Sequence, residues 1–86
     1  MTRKVTDVKA LGAAIRTHRT NRGWTQAELA EQAGVSRRFV SELEAGQRTG
    51  AELSRVLAVL RALHLAVTLT DSGPGSFDDA LREILG

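Results

Sequence analysis

Val8, Leu11 and Ile15 recur at helical spacing, with Ala13 and Ala14 as strong helix formers between them, and Gly23 stops the pattern. Arg16, Arg19 and Arg22 occupy the remaining surface of that first helix and read as a solvated face. A second helix follows from Gln26 to Ala33. Thr25 and Glu28 have the spacing of a capping box, and Trp24 and Leu29 that of a hydrophobic staple. Gly34 ends it with a residue that tolerates positive φ. Ser36 then caps a third helix running from Arg37 toward Gly46, stapled by Val35 and Val40. Two short helices joined by Gly34-Val-Ser-Arg, with Leu29, Ala30, Ala33, Val35, Val40 and Leu43 facing inward, have the form of a helix-turn-helix. Thr49 and Glu52 form a further capping box ahead of a fourth helix, lined on one face by Leu53, Val56, Leu57, Leu60 and Leu63.

After His64 the period changes from helical to alternating. Leu65-Ala-Val-Thr-Leu-Thr places Leu65, Val67 and Leu69 on one side, and its valine and threonine content favours a strand. A lone strand leaves its backbone groups unpaired, so the pattern points to pairing with the same segment of a second copy, making Leu65, Val67 and Leu69 dimerisation residues. Pairing within the chain, with Arg3-Lys-Val-Thr, is the other option. Asp71-Ser-Gly-Pro-Gly-Ser then reads as a turn-rich linker into an amphipathic helix whose apolar side holds Phe77, Leu81, Ile84 and Leu85. That face either folds back on its own domain or dimer mate, or docks on a partner protein. The organisation is thus a domain over residues 5–71 and a linker plus helix over 72–86.

Charge sharpens this division. Met1 to Leu65 carries eleven Lys and Arg against six Asp and Glu, net +5, whereas Ala66 to Gly86 carries one against four, net −3. Ten of the twelve basic residues are arginine, the side chain suited to bidentate contact with phosphate and guanine, so the body expects a polyanion and the tail a different task. With 86 residues and no cysteine, disulfides and thiolate metal sites are excluded and oligomerisation is the remaining support for a small core. The most apolar run, Val56 to Leu69, is interrupted by Arg61 and His64 and is shorter than the roughly 18 residues of a membrane span. The N-terminal stretch has no signal-peptide core; a soluble, cytoplasmic protein is the expectation. His18 and His64 have no partner at metal-ligand spacing, and no nucleophile elbow, P-loop or paired-carboxylate pattern occurs, so neither metal, cofactor nor catalysis is expected.

The stretch Trp24-Thr-Gln-Ala-Glu-Leu-Ala-Glu-Gln-Ala-Gly-Val-Ser-Arg-Arg-Phe-Val-Ser-Glu-Leu-Glu-Ala-Gly resembles the lambda-Cro/phage-repressor (XRE) helix-turn-helix family, with Thr-Gln-x-Glu-Leu-Ala, Gly-Val-Ser and Leu-Glu-x-Gly at that family's spacing. The fourth helix running directly into Leu65-Ala-Val-Thr-Leu-Thr-Asp71 is similar to the HipB-like antitoxins. Together the two resemblances span about Leu11 to Asp71.

The resemblance implies an all-α, lambda-repressor-like domain of four to five helices with one short C-terminal β-strand pairing across a homodimer. It implies a repressor of its own operon that binds a double-stranded DNA operator and a HipA-like serine/threonine kinase toxin. By motif position, Arg37, Arg38, Ser41 and Glu42 become base-contacting residues, and Thr25 and Gln26 phosphate contacts. Arg48, just past the third helix, joins the phosphate contacts. The physics agrees, since a helix-turn-helix presents the N-terminal end of its second helix to base edges. Phe77, Leu81, Ile84 and Leu85 are the candidate partner-binding residues. Two rival readings stay open: a free-standing phage-type repressor without a toxin, and an interaction module that inhibits a protein without reading DNA.

Overall fold

Side-chain caps set the first three helix starts. The structure, a computed structural model, describes residues 4–48, 50–71 and 76–85, with the side chains of 76–80 also outside the description. Helix α1 (Val8–Asn21) begins where the Asp7 carboxylate accepts from the Ala10 N–H at 2.6 Å. Helix α2 (Gln26–Ala33) begins at the expected capping box: Thr25 Oγ1 accepts from the Glu28 N–H at 3.1 Å, and Glu28 Oε1 accepts from the Thr25 N–H at 3.0 Å. Gly34 closes it in the left-handed region at φ 72°. Helix α3 (Arg37–Glu44) starts two residues later, with Ser36 Oγ accepting from the Phe39 N–H at 3.0 Å.

Helix α4 (Leu53–Ala62) departs from the sequence reading. Its N-cap is Glu52, which makes no side-chain cap bond; the other member of the expected box, Thr49, lies outside the described residues. Gly50 turns the chain at φ 68° and Ala51, 2% exposed, is drawn into the core ahead of the helix. At its other end α4 closes with a Schellman motif, the Leu65 N–H reaching Leu60 O at 2.8 Å and the His64 N–H reaching Arg61 O at 2.9 Å. His64 takes the left-handed position usually given to glycine, at φ 57°.

Leu11 and Ile15 from α1, Leu29 and Ala30 from α2, Phe39, Val40 and Leu43 from α3, and Val56, Val59, Leu60 and Leu63 from α4 and its end form one core. Phe39, Val59 and Ala51 were not among the expected core residues, while Leu53, expected inside, is exposed. Helix α1 crosses the C-terminal end of α3 at Gly12, where a Cβ would collide with the backbone oxygens of Leu43 and Glu44. Only glycine permits that approach.

Residues 65–71 are irregular, and among the described residues there is no strand. The strand expected over 65–70 therefore does not form in an isolated chain, consistent with the need of its backbone for a second strand. Leu65 is half-buried against the core through the Schellman closure, whereas Val67 and Leu69 are exposed. Helix α5 (Ser76–Leu85) returns to its own domain. The Glu83 carboxylate accepts from the Val8 N–H at 3.2 Å, at the positive end of α1, and Ile84 packs against the core.

Candidate nucleic-acid interface

The Ser36 cap and the buried Phe39, Val40 and Leu43 leave the opposite side of α3 free. Arg37 and Arg38 open the helix on that side. Arg37 is exposed and makes no ion pair among the described residues. The Arg38 side chain is 86% exposed, yet its Nε donates to Glu42 Oε1 at 2.7 Å. The other Glu42 oxygen, Oε2, accepts from Arg48 Nη1 at 3.2 Å. Ser41 is half-buried on the same helix.

Arg48 is placed from three directions. A second Schellman closure, with the Gln47 N–H on Glu42 O at 3.0 Å and the Gly46 N–H on Leu43 O at 3.1 Å, fixes the backbone just before it. Its guanidinium lies over the Phe39 ring, 5.0 Å from the centroid, and reaches Glu42 from there. The hydrogen bond from Arg38, and then that from Arg48, hold the Glu42 carboxyl below its ordinary pKa, so it stays ionised further into acid than a free glutamate. The structure thus gathers Arg38, Glu42 and Arg48 into one cluster, with Arg37 beside it on the first turn.

The two α2 candidates are engaged in structural bonds. Thr25 makes the capping box, and Gln26 Nε2 donates to Glu44 Oε1 at 3.2 Å. Glu44 anchors an inner network. Arg19 meets it with Nε on Oε2 at 2.7 Å and Nη2 on Oε1 at 3.0 Å, and gives Nη1 to the Trp24 carbonyl at 2.7 Å. Their side chains are 12% and 3% exposed. Arg22 lies over the Trp24 ring and donates to the Leu63 carbonyl at 3.0 Å. The expectation of a solvated arginine face is therefore corrected for Arg19, whose partner arrives from α3, while Arg16 and Arg22 stay exposed, Arg22 with one bond to the end of α4. No buried side-chain nitrogen or oxygen among the described residues lacks a hydrogen bond.

The C-terminal candidates differ in placement. Ile84 is committed to the domain, Leu81 is half-buried, Leu85 is 48% exposed, and the Phe77 side chain lies outside the described residues. No helix among the described residues is long and apolar enough to cross a membrane, and no described group of three or more His, Asp or Glu could hold a metal.

This arrangement, two short capped helices with arginines opening the second, is that of a helix-turn-helix protein, and residues 10–72 match the family described as a helix-turn-helix domain. An uncharacterized HTH-type transcriptional regulator of Sinorhizobium fredii is 36% identical over 73 residues, covering 85% of this chain and 95% of that protein. The antitoxin HipB of Escherichia coli is 30% identical over 69 residues, covering 80% and 77%. The solved HipA-HipB-O2-O3 complex contains a chain 29% identical, superposing with a TM-score of 0.75 over 84% of this chain and 100% of that one. The chain belongs to the XRE-type helix-turn-helix family of DNA-binding transcription regulators. Within that family its relatives include the HipB antitoxins, and it is a regulator of their type.

Proposed function

We propose that the protein is a sequence-specific repressor that binds an inverted-repeat operator as a homodimer and serves as the antitoxin of a HipA-like serine/threonine kinase toxin encoded in the same operon. The observation that carries the DNA reading is the pair Arg37 and Arg38 on the first turn of α3. Positive charge there opposes the helix dipole and contributes nothing to the core, which fits side chains kept for an external anion. Arg37, Arg38, Ser41 and Glu42 form the base-facing side of the recognition helix; Arg48, Thr25 and Gln26 lie at its phosphate-facing margins. Protein of this kind acts in the cytoplasm and without catalysis or cofactor.

Dimerisation runs through residues 65–70, with Val67 and Leu69 covered by the partner copy. Their exposure and the irregular backbone of this segment support that reading. A two-fold dimer sets its recognition helices in successive major grooves about 34 Å apart, where it occludes polymerase. The toxin is met through the acidic C-terminal helix, with Phe77, Leu81 and Leu85 as anchors and Ile84 holding the helix to its own domain. The HipA-HipB-O2-O3 complex of a 29% identical relative supports the toxin context. A free-standing repressor is the second reading, favoured by the relative described only as a transcriptional regulator.

Two measurements on the full-length protein separate these. Binding to the DNA upstream of its own gene should be salt-dependent and outcompete scrambled duplex; absence of binding removes the DNA reading. The product of the adjacent gene should copurify with it and carry kinase activity. A protein that represses but copurifies with no such product is the free-standing regulator.

A further inference from the structure

The Arg38–Glu42–Arg48 cluster has a feature that helix stability does not explain. Arg38 sits in the first turn of α3 and Glu42 near its last, so each charge is at the end whose dipole disfavours it. The order of the pair, base before acid at i and i+4, is also the weaker one. Glu42 supports no core contact, and its carboxylate occupies a face otherwise furnished with arginines. Facing a polyanion, a carboxylate there is repulsive.

Both Glu42 oxygens are already engaged, one by each arginine. Arg48 also lies over the Phe39 ring, and the one carboxylate bridges the two guanidinium groups. We propose that Glu42 is a specificity-determining positioning residue: it aims Arg38 at the base edges and Arg48 at the flanking phosphate, and repels phosphate that approaches without the compensating base contacts. This inference rests on the DNA-binding reading above. Its consequence is selectivity through a built-in penalty, weakening encounters with arbitrary sequence more than binding to the operator.

The test uses the full-length protein, its Glu42→Gln and Glu42→Asp variants, the duplex upstream of its own gene, and a scrambled duplex of equal length. Removing one negative charge roughly 7 Å from phosphate in a water-like dielectric predicts about threefold tighter scrambled-duplex binding per protomer at low salt for Glu42→Gln. The gain fades as salt screens it, so the salt dependence steepens. Operator affinity rises less or falls, and the ratio of operator to scrambled affinity drops. Glu42→Asp keeps the charge but is too short to bridge both arginines. It should hold scrambled-duplex affinity near wild type while losing operator affinity.

Loss of operator affinity traced to one base pair in Glu42→Gln, with scrambled binding unchanged, overturns the proposal in favour of direct base reading. Unchanged affinities for both duplexes in both variants overturn it in favour of an inert surface ion pair. Wild-type protein that binds neither duplex removes the DNA reading itself, and this inference with it.

Discussion

Glu42 and Glu44 stand two residues apart on the same helix, each pairs with arginine, and the two pairings do opposite things. Glu44 faces inward, where Arg19 grips it with two bonds at 2.7 and 3.0 Å and Gln26 adds a third. Glu42 faces outward and holds two arginines whose side chains are 86% and 34% exposed. The inner group welds α1, α2 and α3 together, and water is excluded from most of it. The outer group is in contact with solvent, where ion pairs contribute little to stability but remain free to exchange partners. Identical chemistry therefore becomes buried scaffold or, in the proposed function, reading surface according to which side of an eight-residue helix it occupies.

The largest effect should come from breaking the inner member. Glu44→Ala leaves the Arg19 guanidinium buried without its counter-charge and should destabilise the fold by about 3–5 kcal/mol, measured by urea unfolding at fixed protein concentration. Gly12→Ala tests the backbone side of the same junction. Alanine normally stabilises a helix interior, but here its methyl would press on the Leu43 and Glu44 carbonyls, so the expected result is a loss of about 1–3 kcal/mol.

On the outer side the readout changes from stability to binding. Arg38→Ala should weaken operator binding by about 1–3 kcal/mol and relax preference at one base position, while Arg48→Ala weakens all sequences alike, as titrations against operator and scrambled duplexes would reveal. The smallest effect closes the comparison. Glu42→Gln should leave unfolding stability within about 0.5 kcal/mol of wild type, as for a surface substitution. A stability loss comparable to that of Glu44→Ala would show that the two carboxylates are not divided in this way.

Much of the fold was legible because caps and glycines act locally. The Thr25–Glu28 box, the Ser36 cap and the Gly34 turn depend on residues within three or four positions of one another, and each lies where the spacing places it. The inner network was not legible. Arg19 looks like a surface residue on any helical wheel, and its partners Glu44 and the Trp24 carbonyl arrive only once α1 is packed on the rest. Phe39 carries a core signal of its own. With Val40 and Leu43 it repeats at one, three and four residues, but the two arginines before it drew that turn toward the surface. The start of α4 at Leu53, with Ala51 buried ahead of it, depends on tertiary packing that no local capping pattern encodes. Of the candidate interface, α3 and the exposure of Arg37 and Arg38 follow from local sequence, whereas the bridge from Glu42 to Arg48 depends on a turn that brings a loop residue back onto α3.

The left-handed His64 at the end of α4 carries a consequence for the DNA itself. Because Leu65 is locked against the core one step later, the segment that follows leaves the domain with its heading and its facing both predetermined. In the proposed dimer that heading sets the angular phase between the two recognition helices, so the half-site spacing the dimer accepts is written into a helix end outside the recognition helix. Inserting one residue between His64 and Leu65 exchanges the two faces of the alternating segment. The expected outcome, read from duplexes whose half-sites are moved apart one base pair at a time, is a preferred spacing different from that of the wild-type protein, or a dimer that no longer spans the operator in register.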